Sequence, residues 1–409
     1  ISKLVARAKE LGLPIAFRVI VDGRDRDGAD GATPEFVRDA GAEVWVSNAS
    51  HPNWFTPLVT DPIFRQYYEK FIKAFANEFN DPDHVAFIDG YGLGKWGEGH
   101  SVCYEQNNAV SDKTEEYKQE TMEWVTKLYS ENFTEIPLVI NYHRHIAAPT
   151  GEGEAASPNS EKLLNIAISN GYCLRSDAFG MKNRSWGYND WEKSFVRNWN
   201  YKLPVIMEGG YIVDNAGHQS GMKGDGYNSP SDVRQGEYDM SKEAKVNMMD
   251  FRVGSETESW FNDAFNLVKR FNSEGGYRLY PDRVSVPETM ASGDEATIVS
   301  RWRNIGWGYF PNNIRQWNYK YKVAFALLDS EGNAVQTFVD SNCEPSSWVS
   351  GSPATYTFKT KVSASAGTYT WAVAIVDTTK ENTPAIELAV NSDKKTESGW
   401  VKISEVTVN

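Results

Sequence analysis

Apolar residues Ile1, Leu4, Val5, Ala8 and Leu11 recur at helical spacing and are closed by Gly12. The run 13–21 that follows, apolar but for Arg18, reads as a buried strand. A helix, a short break and a strand make half of a βαβ unit, so the pattern predicts a further strand ahead of residue 1. Residues 41–46 read as a second, weaker strand. Asp61-Pro62 then opens an amphipathic helix to about residue 79, with proline in its first turn. A buried strand begins at Phe87. The alternation continues with a helix over 112–130, a strand over 137–142, a helix over 160–170 and a strand over 172–177. Next come a helix over 188–200, a strand over 203–208 and a Gly/Asp/Ser-rich loop from 209 to about 238. A helix over 241–251, a poorly marked strand over 255–260 and a helix over 262–272 complete the series.

Strands alternating with helices predict a parallel sheet. Seven such steps plus the inferred first predict a (β/α)8 TIM barrel over residues 1–280, the candidate catalytic domain. An open doubly wound sheet fits less well, because no glycine-rich phosphate loop separates the first strands. Beyond residue 280 the texture changes. Segments 284–286, 296–302, 319–328, 356–362, 368–376 and 400–408 alternate or run apolar without helical period. Turn signals such as Ser292-Gly293-Asp294 separate them, which predicts an immunoglobulin-like β-sandwich over 281–409. Its carboxylates are scattered among strand and turn positions, so an accessory role is expected there. Trp302, Trp307 and Trp317 are the residues that would line a second glycan pocket if that domain had one.

Composition narrows the partners. A formal net charge of −13 lacks the basic footprint that nucleic acid or an anionic membrane surface requires. With 14 Trp and 20 Tyr, aromatic surface exceeds what packing usually needs, and rings with polar handles suit an oligo- or polysaccharide. Three cysteines far apart give neither a disulfide framework nor a metal spacing. No run is long and apolar enough to span a membrane. No signal peptide is visible, although a leader could have been removed or left out. The expected setting is secreted, periplasmic or cell-surface.

The candidate chemistry centres on the stretch from Phe87 to His100, where a strand dissolves into glycines and ends on Glu98 between Trp96 and His100. In a (β/α)8 barrel, functional groups stand at the C-terminal ends of strands. Those ends supply Arg18 and Asp22 on the second strand, Trp45 on the third and Glu98 on the fourth. Asn141 and His143 end the fifth, Asp177 the sixth and Glu208 the seventh, and Trp260 lies near the eighth. Glycosidic hydrolysis needs two carboxyl groups, one to protonate the leaving oxygen and one to attack or to activate water.

With these residues in view, the chain resembles clan A of the glycoside hydrolases, the (β/α)8 enzymes that include β-galactosidases and cellulases. More narrowly, it is similar to a bacterial family with a Gly-x-Trp-Gly-Glu motif and a C-terminal β-sandwich. Trp96-Gly97-Glu98 matches the acid/base strand, and Val205-Ile-Met-Glu208-Gly-Gly matches the nucleophile strand. The resemblance implies a retaining hydrolase with Glu98 as acid/base and Glu208 as nucleophile, supported by Arg18 and Trp260. One departure stands out: the clan usually has Asn directly before the acid, and this chain has Gly97. Asn141 is the candidate to replace its contact. A non-catalytic carbohydrate-binding protein on the same barrel is the alternative.

The environments expected are Arg18 beside an ionised Glu208, and Trp96 against a protonated Glu98. Trp54, Trp96, His100, His143, Asp177, Trp186 and Tyr211 complete the expected substrate-binding set. No metal site and no cofactor are expected. His143 and His145 alternate across a strand, and the Asp/Asn/Gly residues of 214–228 fit no EF-hand spacing. That loop reads instead as a wall or lid of the site.

Overall fold

The computed structural model describes residues 1–24, 31–149, 159–182, 187–214 and 221–409. Contacts divide them into two compact units. The first holds Ile1–Trp199, Val205–Ala244 and Met249–Ala264; the second holds Asn200–Pro204, Lys245–Met248 and Phe265–Asn409.

The first unit begins with α1 (Ser2–Glu10), β1 (Ile15–Arg18), α2 (Glu35–Asp39), β2 (Val44–Val46), β3 (Phe55–Pro57), α3 (Pro62–Phe79) and β4 (Val85–Asp89). It continues through α4 (Thr114–Asn132), β5 (Leu138–Asn141), α5 (Ser160–Ser169), β6 (Tyr172–Phe179), α6 (Asp190–Trp199) and β7 (Val205–Gly209). The last elements are α7 (Pro230–Glu243), β8 (Met248–Asp250) and α8 (Ser255–Asn262). Local chemistry explains several of the boundaries. The Asp61 carboxylate accepts a hydrogen bond from Phe64 N at 2.8 Å and Pro62 fills the first turn, so α3 starts there. Its buried face, Phe64, Tyr68, Ile72, Phe75, Ala76 and Phe79, has the 3.6-residue repeat. Ser229 and Pro230 start α7 by the same device.

Six strands form one sheet in the order β1-β4-β5-β6-β7-β8. The pairs from β1 to β7 are parallel. Its central strands are buried on both faces, with Ile88, Leu138, Ile140, Leu174 and Met207 all fully enclosed. The sheet is strongly curled. In a flat sheet, β1 and β7 would lie four strand spacings apart, about 19 Å. Yet the Arg18 guanidinium at the end of β1 lies 3.8 Å from the Glu208 carboxylate on β7. Two side chains cannot bridge the flat distance, so the strand ends converge as they do in an α/β barrel.

Three expectations are corrected here. Residues 44–46 do not supply a barrel strand: β2 pairs antiparallel with β3, and β1 pairs directly with β4, Phe17 opposite Ile88. The sheet therefore has six strands among the described residues, where seven were expected. Arg18 stands on the strand adjacent to β4. Residues 255–260 are helix, because Glu256, Ser259 and Trp260 are buried at helical rather than alternate spacing. The expected helix over 241–251 ends at Glu243, and β8 follows it.

The second unit adds α9 (Phe265–Glu274) and then strands β9 (Leu279–Ser285), β10 (Thr289–Met290), β11 (Glu295–Asn304), β12 (Tyr321–Leu328) and β13 (Ala334–Asp340). Strands β14 (Ala354–Lys361), β15 (Gly367–Asp377), β16 (Thr383–Ile386) and β17 (Val401–Val408) complete it. One sheet runs β10-β17-β15-β12-β13 with β16 on β15, and the other runs β14-β11-β9. Ile298 and Trp302 from one sheet share a core with Phe325, Leu327, Trp371 and Val373 from the other. The three tryptophans considered for a glycan pocket are packing residues. Trp302 is fully buried and stacks on Trp348 at 4.8 Å, Trp307 is buried, and Trp317 packs against the same core.

Candidate active site

Charged side chains gather where the parallel strands end. Arg18 closes β1, Asp89 closes β4, Arg175 and Asp177 lie on β6, Glu208 lies on β7, and Arg252 follows β8. Glu98 comes from the glycine-rich loop beyond β4. With Ile20, Trp96, His100, Ala178, Met181 and Tyr211, all of these except Asp89 and Arg175 line a cavity of about 540 Å³.

The loop is shaped by backbone that a larger residue could not adopt. Gly97 has φ +73°, and a Cβ there would meet the Val19 carbonyl oxygen at 2.3 Å. Trp96 itself is held at φ 56°, an unusual conformation for a bulky residue, and its ring is half exposed in the cavity. The indole stands edge-on to the His100 ring at 5.7 Å.

Two guanidiniums organise the carboxylates. Arg18 Nε donates to Asp89 Oδ2 at 2.8 Å, and its Nη1 lies 2.7 Å from Glu98 Oε1. Arg175 is almost fully buried. Its Nη2 donates to Glu98 Oε1 at 3.1 Å and also pairs with Glu208 Oε2. Oxygens that share one nitrogen lie within two hydrogen-bond lengths, about 6 Å, so the two carboxylates face each other. Arg252 Nη1 donates to the other oxygen of Glu208 at 2.9 Å, and its guanidinium lies over the Tyr211 ring at 5.2 Å. Burial works against the Arg18 cation, but Asp89 and Glu98 outweigh it and raise its pKa.

A second group surrounds Asp177. His100 Nε2 lies 3.7 Å from Glu98 Oε2 and 3.9 Å from Asp177 Oδ2. Burial alone would push the Asp177 carboxyl up. The close approach of His100, together with the charge of Arg175, prevails and holds it well below the usual carboxylate range. His143 stacks on His100 at 4.3 Å, and its Nε2 lies 3.2 Å from the Glu98 carbonyl oxygen. Burial, reinforced by His100, drives its pKa well down, so this imidazole is neutral.

The structure thus brings together Arg18, Trp96, Glu98, His100, Asp177, Glu208 and Tyr211 in one cavity, with His143 directly behind. Other expected residues lie elsewhere. Trp54 stacks on His51 at 3.8 Å and does not line the cavity. Asn141 is buried, with Oδ1 accepting from Asp177 N at 3.3 Å; it also stays outside the lining and does not stand in for the missing Asn. Trp260 is corrected from a strand-end residue to a fully buried helix residue stacked on Phe251 at 4.6 Å. Trp186, and residues 215–220 of the expected wall or lid, lie outside the described residues. The surroundings expected for Glu98 are also corrected, because its carboxylate meets Arg18, Arg175 and His100, the indole standing against His100 instead. Asp22 does not pair with Arg18; it binds Arg24, whose Nε lies 3.0 Å away.

Asp89, Arg175 and Arg252 were missed. Two of them had a signal: a charged residue inside a strand buried on both faces. Arg175 and Asp177 also share a face by the two-residue repeat. Arg252 was hidden by reading its segment as the end of a helix.

Behind Glu208 lies a buried network that holds the following loop. Glu237 Oε1 accepts from Gly210 N at 2.9 Å, and Arg234 Nη1 donates to Glu237 Oε2 at 2.6 Å. Arg234 also pairs with Glu256, whose Oε1 accepts from Val213 N at 2.7 Å. One guanidinium thus serves two carboxyl groups, and together they fix the backbone on either side of Tyr211.

No family model matches the chain, and no curated protein matches it. Among solved structures it is similar to the endo-β-1,4-mannanase from Thermotoga petrophila, at 11% identity and TM-score 0.38, over 99% of this chain and 81% of that one. It is also similar to the catalytic domain of β-amylase from Paenibacillus polymyxa, at 9% identity and TM-score 0.42, over 65% of this chain and 85% of that one. A third is the endo-glycoceramidase II from Rhodococcus sp., at 12% identity and TM-score 0.35, over 88% of this chain and 83% of that one. At scores this low none of the three bears on the chemistry. Among the described residues, no helix is long and apolar enough to cross a membrane.

Proposed function

We propose that the protein is a glycoside hydrolase of clan A type, acting on an oligo- or polysaccharide through Glu98 and Glu208. The observation that carries this reading is the facing pair of carboxylates from beyond β4 and on β7, joined through Arg175 at one end of the curled sheet. In the proposed reaction Glu98 gives a proton to the glycosidic oxygen while Glu208 attacks the anomeric carbon and the leaving group departs. Glu98 then takes a proton from water, whose oxygen displaces Glu208 and releases the sugar. A separation of about 6 Å or less between facing oxygens leaves little room for an intervening water, which favours retention over inversion. Half-exposed Trp96 and exposed Tyr211 offer ring faces to the sugar. The β-domain of the second unit, with its two sheets on one core, is assigned an accessory role, and an immunoglobulin-like topology is part of the same proposal.

A second reading has its own support. Glu98 is paired with both Arg18 and Arg175, contacts it would have to give up to reach a glycosidic oxygen. That arrangement favours a carbohydrate-binding protein without turnover. Aryl glycosides and soluble glycans, assayed for hydrolysis and for binding by calorimetry, separate the two. Turnover that falls by at least about a hundredfold in both Glu98→Gln and Glu208→Gln supports the hydrolase. Glycan binding without turnover supports the second reading, and neither binding nor turnover sinks both.

A further inference from the structure

We propose that Glu98, His100 and Asp177 form a site for one divalent metal ion of the zinc type at the wall of the cavity. The proposal does not depend on whether the glutamate pair hydrolyses sugar.

The three side chains converge with one ligand atom each, and those atoms lie within 4.8 Å of one another. The gaps from His100 Nε2, 3.7 Å to Glu98 Oε2 and 3.9 Å to Asp177 Oδ2, are too long for hydrogen bonds. They are close to the edges of a coordination polyhedron: zinc bonded at about 2.0–2.1 Å sets tetrahedral ligand atoms roughly 3.3–3.4 Å apart. Small side-chain rotations close that difference. All three residues line the open cavity, so water or a sugar hydroxyl can take the fourth position.

Charge supplies a separate reason. Arg18, Arg175 and Arg252 are engaged with Asp89, Glu98 and Glu208. Four carboxylates thus face three guanidiniums, and among the described residues Asp177 has an ion-pair contact only with His100. A dication placed between Asp177 and Glu98 supplies the missing positive charge. Glu98 divides its oxygens cleanly, Oε1 to the arginines and Oε2 towards His100. An imidazole with two carboxylates suits zinc, or manganese less tightly. The nearby guanidiniums weaken the site relative to a closed structural zinc centre. Under the hydrolase reading the bound ion takes the Glu98 lone pair that must carry the proton, so zinc inhibits.

The test is calorimetric titration of Zn2+ into chelator-treated, dialysed protein, with circular dichroism to confirm folding. One saturable site is expected, weakened at least tenfold in His100→Ala and in Asp177→Asn. His84→Ala should leave it unchanged, although His84 also stands 2.6 Å from a carboxylate, that of Asp81. Should the variants fail to fold, Co2+ added to the unaltered protein decides through its paramagnetism. The resonances of His100 and His143 should broaden first, and those of His51 and His84 should not. Absence of saturable uptake, uptake undiminished in both folded variants, or broadening confined to other histidines would each overturn the assignment.

Discussion

The carboxylates of Glu98 and Glu208 are tied to each other through a single nitrogen, Nη2 of Arg175. The guanidinium comes from β6, next to the strand that carries Glu208, and almost none of it reaches solvent. Its Nη1 has no hydrogen-bond partner among the described residues. Arg175 therefore acts mainly through the two acids it joins.

Replacing Arg175 with methionine keeps much of the volume and removes the charge. Facing carboxylates then lose their shared countercharge in a buried setting, a change that costs about 3–5 kcal/mol. Urea unfolding should show a loss of that order. A loss under about 1 kcal/mol would mean that Arg18 and Arg252 suffice to hold the pair.

Gly97 offers a sharper structural test. The resemblance would place Asn at this position, yet a Cβ would stand 2.3 Å from the Val19 carbonyl oxygen at a backbone φ of +73°. Gly97→Asn should therefore lower stability by more than about 1 kcal/mol, read as a lower thermal midpoint, and displace Glu98. An unchanged midpoint would show that the loop relaxes freely.

The buried network behind Glu208 gives a pH prediction. Burial pushes Glu237 up to about 8, with Arg234 opposing and Glu256 adding to the rise. An unfolded glutamate titrates near ~4.3. Between these values the folded chain keeps a proton that the unfolded chain has released, so this contribution to stability falls as pH rises and levels off above about 8. Glu237→Gln removes the titration while keeping an oxygen for Gly210 N. The difference in urea midpoint between the two proteins should change steadily from about pH 4.5 to pH 8. A constant difference across that window would contradict a neutral Glu237.

In the β-domain, Trp302 is fully buried and stacked on Trp348. Trp302→Ala should cost about 3–5 kcal/mol, measured by calorimetric unfolding. A change of a few tenths would mean that the two sheets close over the void.

Legibility followed how far each signal was local. The six β-domain segments of clear alternation or apolar run correspond to β9, β11, β12, β14, β15 and β17. The missed β13 has its apolar residues in two adjacent pairs, Ala334-Val335 and Phe338-Val339, which make neither an alternation nor a continuous run. Asp61-Pro62 announced α3, and the same grammar in Ser229-Pro230 was overlooked inside a stretch rich in Gly, Asp and Ser. Glu208 was visible as a carboxylate at a strand end, and Glu98 as the carboxylate closing the glycine-rich stretch that follows one. Arg175 as their link was not, because which guanidinium reaches which acid depends on the curl of the sheet, a long-range property. Trp260 shows the opposite error: an aromatic near an expected strand end proved to be helix packing once its period was known. The site itself rests on residues spread from 18 to 252, and local periodicity cannot bring those together.

Glu98 does not sit on a strand. It is carried past the end of β4 on a loop closed by a short bridge between Lys95 and His100. Glu208, by contrast, lies within β7 and moves only if the sheet moves. One member of the pair is therefore a fixed post and the other an arm whose length is set by a few turns of backbone. Insertions or deletions between Gly90 and Gly97 would retune the gap between the acids without altering strand register, so the spacing of this pair can drift while the scaffold beneath it stays the same.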